Sequence, residues 1–199
     1  MKKLIQLTFL MLVLLSCTKN DKNAGFNPDA VKLNDAAVEL GNLHKYDSAL
    51  LVFDQAIALD SAYYLAYGNK AAVYSAMKDY KKALYEVERQ VKVKPDFAEG
   101  WISAATLSDK TGDTVKAKVY YQKSLDLYEK RITDPAKKSY IIESRINKDF
   151  LLIQLGREKE AKADLELIKK DYPEIKTVDA FLKMTRKSFL LSLDEVKKK

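Results

Sequence analysis

Residues 46–97 read YDSALLVFDQAIALDSAYYLAYGNKAAVYSAMKDYKKALYEVERQVKVKPDF, and they contain one pattern of large and small side chains twice. The repeated positions are Tyr46, Ala49 and Phe53 in the first copy and Tyr80, Ala83 and Val87, 34 residues further on, in the second. A third copy follows, led by Trp101. A period of about 34 residues that carries two amphipathic helices per unit is typical of a helical solenoid.

Small residues recur where paired helices would meet. Two antiparallel helices can approach closely only if small side chains face each other. These residues are Ala37, Ala71 and Ala105 in the first helix of each unit and Ala49, Ala83, Ala117 and Ala161 in the second. With only 6 Gly and 4 Pro in 199 residues, the composition also suits an all-α protein.

From about Ala30 to Pro173 the pattern resembles the tetratricopeptide repeat (TPR) family. The resemblance implies a right-handed α-solenoid of about four helix-turn-helix units within residues 27–175. We place the units at 30–63, 64–97, 98–131 and 142–175. Residues 176–199 follow as a C-terminal capping helix and basic tail, because the open face of a last repeat needs a cover. The apolar side chains of this segment predict one amphipathic helix from Thr177 to Val196.

The fourth unit departs from the family pattern. Arg145 stands where the family has a large aromatic residue, and Asp149 stands where it has a small one. We interpret the two as an ion pair one helical turn apart. Asp134-Pro135 is typical of a helix start, so the first helix of this unit is expected to begin there and to run for about 20 residues.

The N-terminus reads MKKLIQLTFLMLVLLSC and predicts an export signal. Two lysines precede an apolar run that is too short to span a bilayer as a helix. The ending Leu14-Leu15-Ser16-Cys17 resembles a bacterial lipobox, which implies a signal peptide over 1–16, lipid attachment at Cys17 and a flexible tether over 17–26. The expected location is the bacterial cell envelope, at the outer rather than the inner membrane. The alternative is a free thiol at the end of an uncleaved segment.

Charge and residue usage argue against several function classes. The formal charge is +7, but Lys and Arg are mixed with many acidic residues, so no nucleic-acid surface is expected. The single Cys and the single His, His44, make a Cys/His metal site implausible. No phosphate loop or nucleophile elbow is present, so we expect no cofactor and no enzyme activity.

In TPR proteins the first helix of each unit lines a concave groove that holds a segment of a partner. Carried over by register, this groove contains Asn34, Val38, Leu65, Gly68, Asn69, Ala72, Ser75, Ala76, Ile102, Thr106 and Asp109. Some family members clamp a partner's C-terminal carboxylate, but only Asn69 matches the residues of that clamp. Asn34, Glu99 and Ser103 stand at the basic positions, so a carboxylate clamp is not expected.

The sequence therefore predicts a lipid-anchored, non-catalytic adaptor or scaffold that binds a protein or peptide through this groove. The alternatives are an assembly factor or an accessory subunit of an outer-membrane, cell-wall or secretion complex. The small residues of the second unit have two readings. They form a recess for an apolar anchor of the partner, or they only allow tight curvature while binding occurs on the convex face or at the ends.

Overall fold

The computed structural model describes residues 25–195, with side chains at 25–136 and 140–193. The predicted signal segment, Cys17 and most of the tether lie outside the described residues. Ten α-helices fill the described range: α1 Pro28–Asn42, α2 Tyr46–Leu59, α3 Tyr64–Ala76, α4 Tyr80–Val93, α5 Ala98–Thr111, α6 Thr114–Thr133, α7 Ile141–Gln154, α8 Glu158–Asp171, α9 Thr177–Leu182 and α10 Arg186–Glu195. No strand occurs between residues 25 and 195.

Local sequence signals account for several of the helix ends. The carboxylates of Asp79 and Asp113 accept hydrogen bonds from the backbone N–H of Lys82 and Lys116, at 3.1 and 2.9 Å, and so cap α4 and α6. After α5, Gly112 takes the left-handed conformation with φ of 95°, which closes the turn before α6. These short turns join consecutive helices into the predicted helix-turn-helix units.

The alanine positions of the repeat form the contacts within each unit. All seven alanines of the pattern are at most 2% exposed. They lie where α1 meets α2, α3 meets α4, α5 meets α6 and α8 joins the stack. Close approach of the helix backbones at these points lets larger side chains, such as Phe53 and Tyr121, fill the space between the helices. The prediction of an all-α solenoid is confirmed.

The register break after the third unit has a structure that differs in part from the one expected. Helix α6 continues for 20 residues to Thr133, and a 3₁₀ helix, Pro135–Tyr140, precedes α7. Helix α7 then has 14 residues and follows the 3₁₀ helix without a gap, so the expected helix start at Asp134-Pro135 and the length of about 20 residues are confirmed; only the 3₁₀ geometry of the first six residues differs. Helix α6 is longer than the other second helices, and Tyr121, Leu125 and Tyr128 are fully buried along one side of it at helical spacing.

The C-terminal segment forms two helices where one was expected. Helix α9 ends at Leu182 and α10 begins at Arg186. Between them, the N–H of Thr185 donates to Oγ of Ser188, at 2.9 Å, and the N–H of Ser188 donates to Oγ1 of Thr185, at 3.0 Å. This reciprocal pair is a capping box, which fixes a new helix start and lets the chain change direction.

The charged residues of the fourth unit pair differently from the interpretation given above. Arg145 donates from Nε to Asp164 of α8 at 3.3 Å and makes a second, short bond to the same carboxylate. Asp149 is fully buried, and its nearest cation is Nζ of Lys148 at 3.6 Å. The predicted Arg145–Asp149 pair is therefore wrong. Arg145 instead joins α7 to α8, which the sequence spacing within α7 could not reveal.

Candidate partner-binding groove

The first helices of units one and two lie side by side and form a continuous inner surface. Helix α1 contacts α3 directly. Across this contact, Nδ2 of Asn69 donates to Oδ1 of Asn34 at 2.9 Å. Asn34 is only 3% exposed, whereas Asn69 is half-buried. The two amides therefore tie neighbouring units together and leave part of Asn69 facing solvent.

Small side chains beside this amide bridge leave the inner surface open. Ala72 and Ala76 are exposed on α3, and Ser75 is half-buried between them. Val38 of α1 is half-buried and adds apolar surface. We call this surface, formed by Val38, Asn69, Ala72, Ser75 and Ala76, the N-terminal groove. It offers amide hydrogen bonds next to a shallow apolar floor.

Two residues that the register places in the groove lie in the packed interior, and a third, Gly68, is half-buried and covered by a neighbouring side chain. Leu65 and Ile102 are 9% and 8% exposed and belong to hydrophobic clusters. Gly68 does not leave a recess, because the side-chain amide of Gln90 fills the space above it: a Cβ at Gly68 would lie 2.4 Å from Nε2 of Gln90. The expected recess at Gly68 is therefore wrong. The glycine accommodates the long side chain of Gln90, which stands where units one and three have Ala56 and Ser124.

The part of the predicted groove on α5 is covered by the protein's own C-terminal helix. Arg186 of α10 donates from Nη2 and Nη1 to the two carboxylate oxygens of Asp109, at 2.7 and 2.8 Å. Oδ2 of Asp109 also accepts the hydroxyl of Tyr121 at 3.0 Å. Nη1 of Arg186 reaches Oε1 of Gln154 on α7 at 3.1 Å. We call these four residues the Arg186 clasp.

Burial shapes the electrostatics of the clasp. Tyr121 is fully buried, and this burial, reinforced by the negative charge of Asp109, raises the pKa of its phenol well above the usual value. The phenol therefore stays a hydrogen-bond donor. Thr106, one turn before Asp109, is half-buried, and its hydroxyl oxygen is buried. Neither Thr106 nor Asp109 offers a free polar surface to a partner.

A buried charge network in unit two was not predicted from the sequence. Lys70 of α3 is 5% exposed and donates to Asp54 of α2 at 2.7 Å and to Glu86 of α4 at 2.8 Å. Burial opposes its charge, but the bonds to the two carboxylates outweigh this effect and raise the pKa of Lys70. Arg89 donates to the same Glu86 at 3.0 Å. Each partner of Lys70 is 16 residues away, so no helical spacing signals the contact.

The structure also bears on the other expected site chemistry. Glu99 stands at one of the clamp positions, where the clamp needs a basic residue. Its carboxylate accepts a hydrogen bond from Nη1 of Arg131 at 2.6 Å. Among residues 25–195, His, Cys, Asp and Glu form no group of three that could hold a metal ion. In the same range, every helix is too short or too polar to cross a membrane.

Known proteins with similar sequences or folds include heat shock and Hsp70-Hsp90 organizing proteins and a TPR protein of known structure. No family model matches the chain. Over 80 residues it is 35% identical to a heat shock protein sti1 homolog of Schizosaccharomyces pombe, and over 83 residues it is 32% identical to an Hsp70-Hsp90 organizing protein of Triticum aestivum. The matches cover 40% and 42% of this chain and 14% of each relative. This chain therefore spans about one seventh of the length of these relatives.

Two solved structures show the same fold. YrrB, described as a TPR protein with an unusual peptide-binding site, has a TM-score of 0.53 at 20% identity, and the alignment covers 82% of each chain. The type III secretion translocator chaperone SycD of Yersinia enterocolitica has a TM-score of 0.50 at 18% identity, covering 65% of this chain and 96% of SycD. Together with the repeat pattern, these findings support the TPR family and show that the chain has the helix-turn-helix solenoid fold of TPR proteins.

Proposed function

We propose that this protein is a non-catalytic adaptor that binds a segment of a protein partner in the N-terminal groove. The observation that carries the proposal is the exposure of Ala72 and Ala76 beside the Asn34–Asn69 bridge. The methyl side chain of an alanine is too small to block a bound peptide segment. Asn69 offers an amide that can exchange hydrogen bonds with the backbone of a bound segment.

The relatives support this class of function. The matched segments belong to a heat shock protein sti1 homolog and to a protein described as an Hsp70-Hsp90 organizing protein. The neighbour YrrB is described as having a peptide-binding site. A protein or peptide partner and a non-enzymatic role for this chain agree with these descriptions.

The partner segment should be extended or helical, with one or two apolar side chains. Val38 and the alanines provide a shallow apolar floor, and no described residue of the N-terminal groove carries a charge. A segment that relied on a terminal carboxylate would find no basic residue there. Recognition would instead rest on apolar contact and on amide hydrogen bonds.

The groove is tested by placing a large, charged side chain in it. Ala72→Arg and Ala76→Arg should each abolish recovery of the partner that cross-links to the wild-type protein in detergent extracts. Both residues are exposed, so helicity and melting temperature should be unchanged. Ala58→Arg is the matched control, because Ala58 is equally exposed but lies on α2, a second helix. Retention of the partner by both groove variants would contradict the proposal.

We further propose that the adaptor is held in a bacterial cell envelope, at the outer membrane, by lipid on Cys17. The support is the sequence of residues 1–17 and the position of the only cysteine at the end of the apolar run. Labelling cells with a radioactive fatty acid tests this. The wild-type protein should take up label and Cys17→Ala should not, while the repeats remain folded. Equal labelling of the two proteins would refute the anchor.

A further inference from the structure

Helix α10 lies on the inner face of the solenoid and does not continue along its end. It contacts α5, the first helix of unit three. The ring of Phe189 packs edge-on against Phe150 of α7, with 5.5 Å between the centroids. Nζ of Lys110 on α5 bonds to the carbonyl of Leu193. The helix therefore occupies the surface where the register places the groove of unit three.

The end of the solenoid is covered by another element. Helix α9 packs against α8, and its residues Val178 and Phe181 are 1% and 4% exposed. Asp179 pairs with Lys169 of α8 at 2.9 Å. The last unit thus has its cap in α9, and α10 extends the same hydrophobic cluster onto α5 and α7, where Phe181 of α9 and Phe189 of α10 both contact Phe150.

The polar contact that holds α10 is one that an arginine of another segment could also form. The Arg186 clasp is a bidentate ion pair in a partly buried place, where the cost of removing the charges from water offsets much of their attraction. Such an ion pair contributes more to the specificity of binding than to its affinity. In addition, α10 has only 10 residues, and a helix of that length is marginal in water once it leaves its docking surface.

We propose that the α5–α7 surface is a second docking site for a helical segment of a partner, and that α10 occupies it in the free protein. The partner segment carries an arginine that pairs with Asp109 and, three residues later, a large apolar side chain that packs on Phe150. It replaces Arg186 and Phe189, which have this spacing in α10. The inference rests on the proposed function, because it adds a second partner-binding site, which α10 blocks in the free protein, to the same concave side of the solenoid.

A labelled peptide of residues 185–199, TRKSFLLSLDEVKKK, is the probe. In the wild-type protein the tethered α10 competes at a high effective concentration, so the free peptide should bind weakly. Arg186→Glu places a negative charge opposite Asp109 and should release α10. Fluorescence anisotropy should then show at least tenfold tighter binding of the peptide. Lys187→Glu, the same charge change at an exposed neighbour, should behave like the wild-type protein.

The specificity of the clasp is tested with the same peptide carrying glutamate in place of its arginine. This peptide should bind the Arg186→Glu protein at least tenfold more weakly than the natural peptide does. Equal binding of the natural peptide to the wild-type, Arg186→Glu and Lys187→Glu proteins would overturn the proposal. Ala72→Arg, which tests the N-terminal groove, should leave peptide binding to the Arg186→Glu protein unchanged, so the two proposals can fail separately.

Hydrogen exchange of the wild-type protein gives an answer even if Arg186→Glu does not fold. If α10 is displaceable, its amides should exchange at least tenfold faster than those of α7, because α10 opens without unfolding of the solenoid. Equal protection of α10 and α7 would show that the helix is a fixed part of the core and would overturn the proposal.

Discussion

The buried carboxyl group of Asp149 should make the protein less stable as the pH rises through neutrality. Asp149 is 0% exposed, and its two carboxyl oxygens accept no hydrogen bond within the described residues. Burial, with a further contribution from the negative charge of Asp164, raises the pKa of Asp149 to about 8, although Lys148 opposes the shift. In the unfolded chain an aspartate has a pKa of about 3.9.

The sign of the effect follows from proton uptake. Between pH 4 and 8 the folded protein keeps the proton of Asp149 and the unfolded chain has lost it. The free energy of unfolding therefore falls as the pH rises through this window, by at most about 1.4 kcal/mol per pH unit. At pH 7, about three units above the unfolded pKa, the loss reaches about 4 kcal/mol.

Asp149→Asn removes this loss, because asparagine is neutral in both states and has nearly the same shape. We expect the variant to be more stable than the wild-type protein by about 2 to 4 kcal/mol at pH 7. That gain corresponds to a rise in melting temperature of about 5 to 15 °C for a chain of this size. Below pH 4 the stability difference between the two proteins should vanish.

Urea unfolding followed by circular dichroism at 222 nm, at pH 4, 5.5, 7 and 8.5, measures the difference. Asp126→Asn is the matched control, because Asp126 is an exposed aspartate in the middle of α6. Its effect should stay within about 0.5 kcal/mol at every pH. A stability difference for Asp149→Asn that does not grow between pH 4 and pH 8.5, or a destabilised variant at pH 7, would refute the reasoning.

Three further predictions concern packing in other parts of the solenoid. Lys70→Ala should cost about 3 kcal/mol in thermal unfolding, because it leaves buried Glu86 without its closest cation; a loss below about 1 kcal/mol would contradict the buried network. Gly68→Ala should destabilise the protein by about 1 kcal/mol, because the added Cβ meets the side chain of Gln90. In a protein that also carries Gln90→Ala, the same substitution should be neutral or stabilising. If the two substitutions had additive effects on stability, the two residues would not compete for space. Deletion of residues 176–199 should cost about 3 to 6 kcal/mol and promote aggregation, since it removes the buried side chains of α9, and an unchanged melting curve would show that α9 is not a cap.

The sequence by itself determined the solenoid and several of its helix ends. These features depend on short-range chemistry. An alanine every 34 residues marks where helices approach, and an aspartate such as Asp79 or Asp113 caps the helix that follows it. The exposed alanines of the N-terminal groove were also accessible from the sequence, because the position of a residue in the repeat fixes which face of the helix it occupies.

The tertiary structure decided the features that depend on contacts between distant residues. Arg186 reaches Asp109 across 77 positions, and Lys70 reaches two carboxylates on different helices. Periodicity gives the face of a helix but not which distant side chain comes to lie against that face. Gln90 fills the space above Gly68 for the same reason, since the volume at a packing slot depends on helices from two units. The sequence therefore predicts an open groove along units one to three, and only the folded chain shows that α10 covers its part on α5.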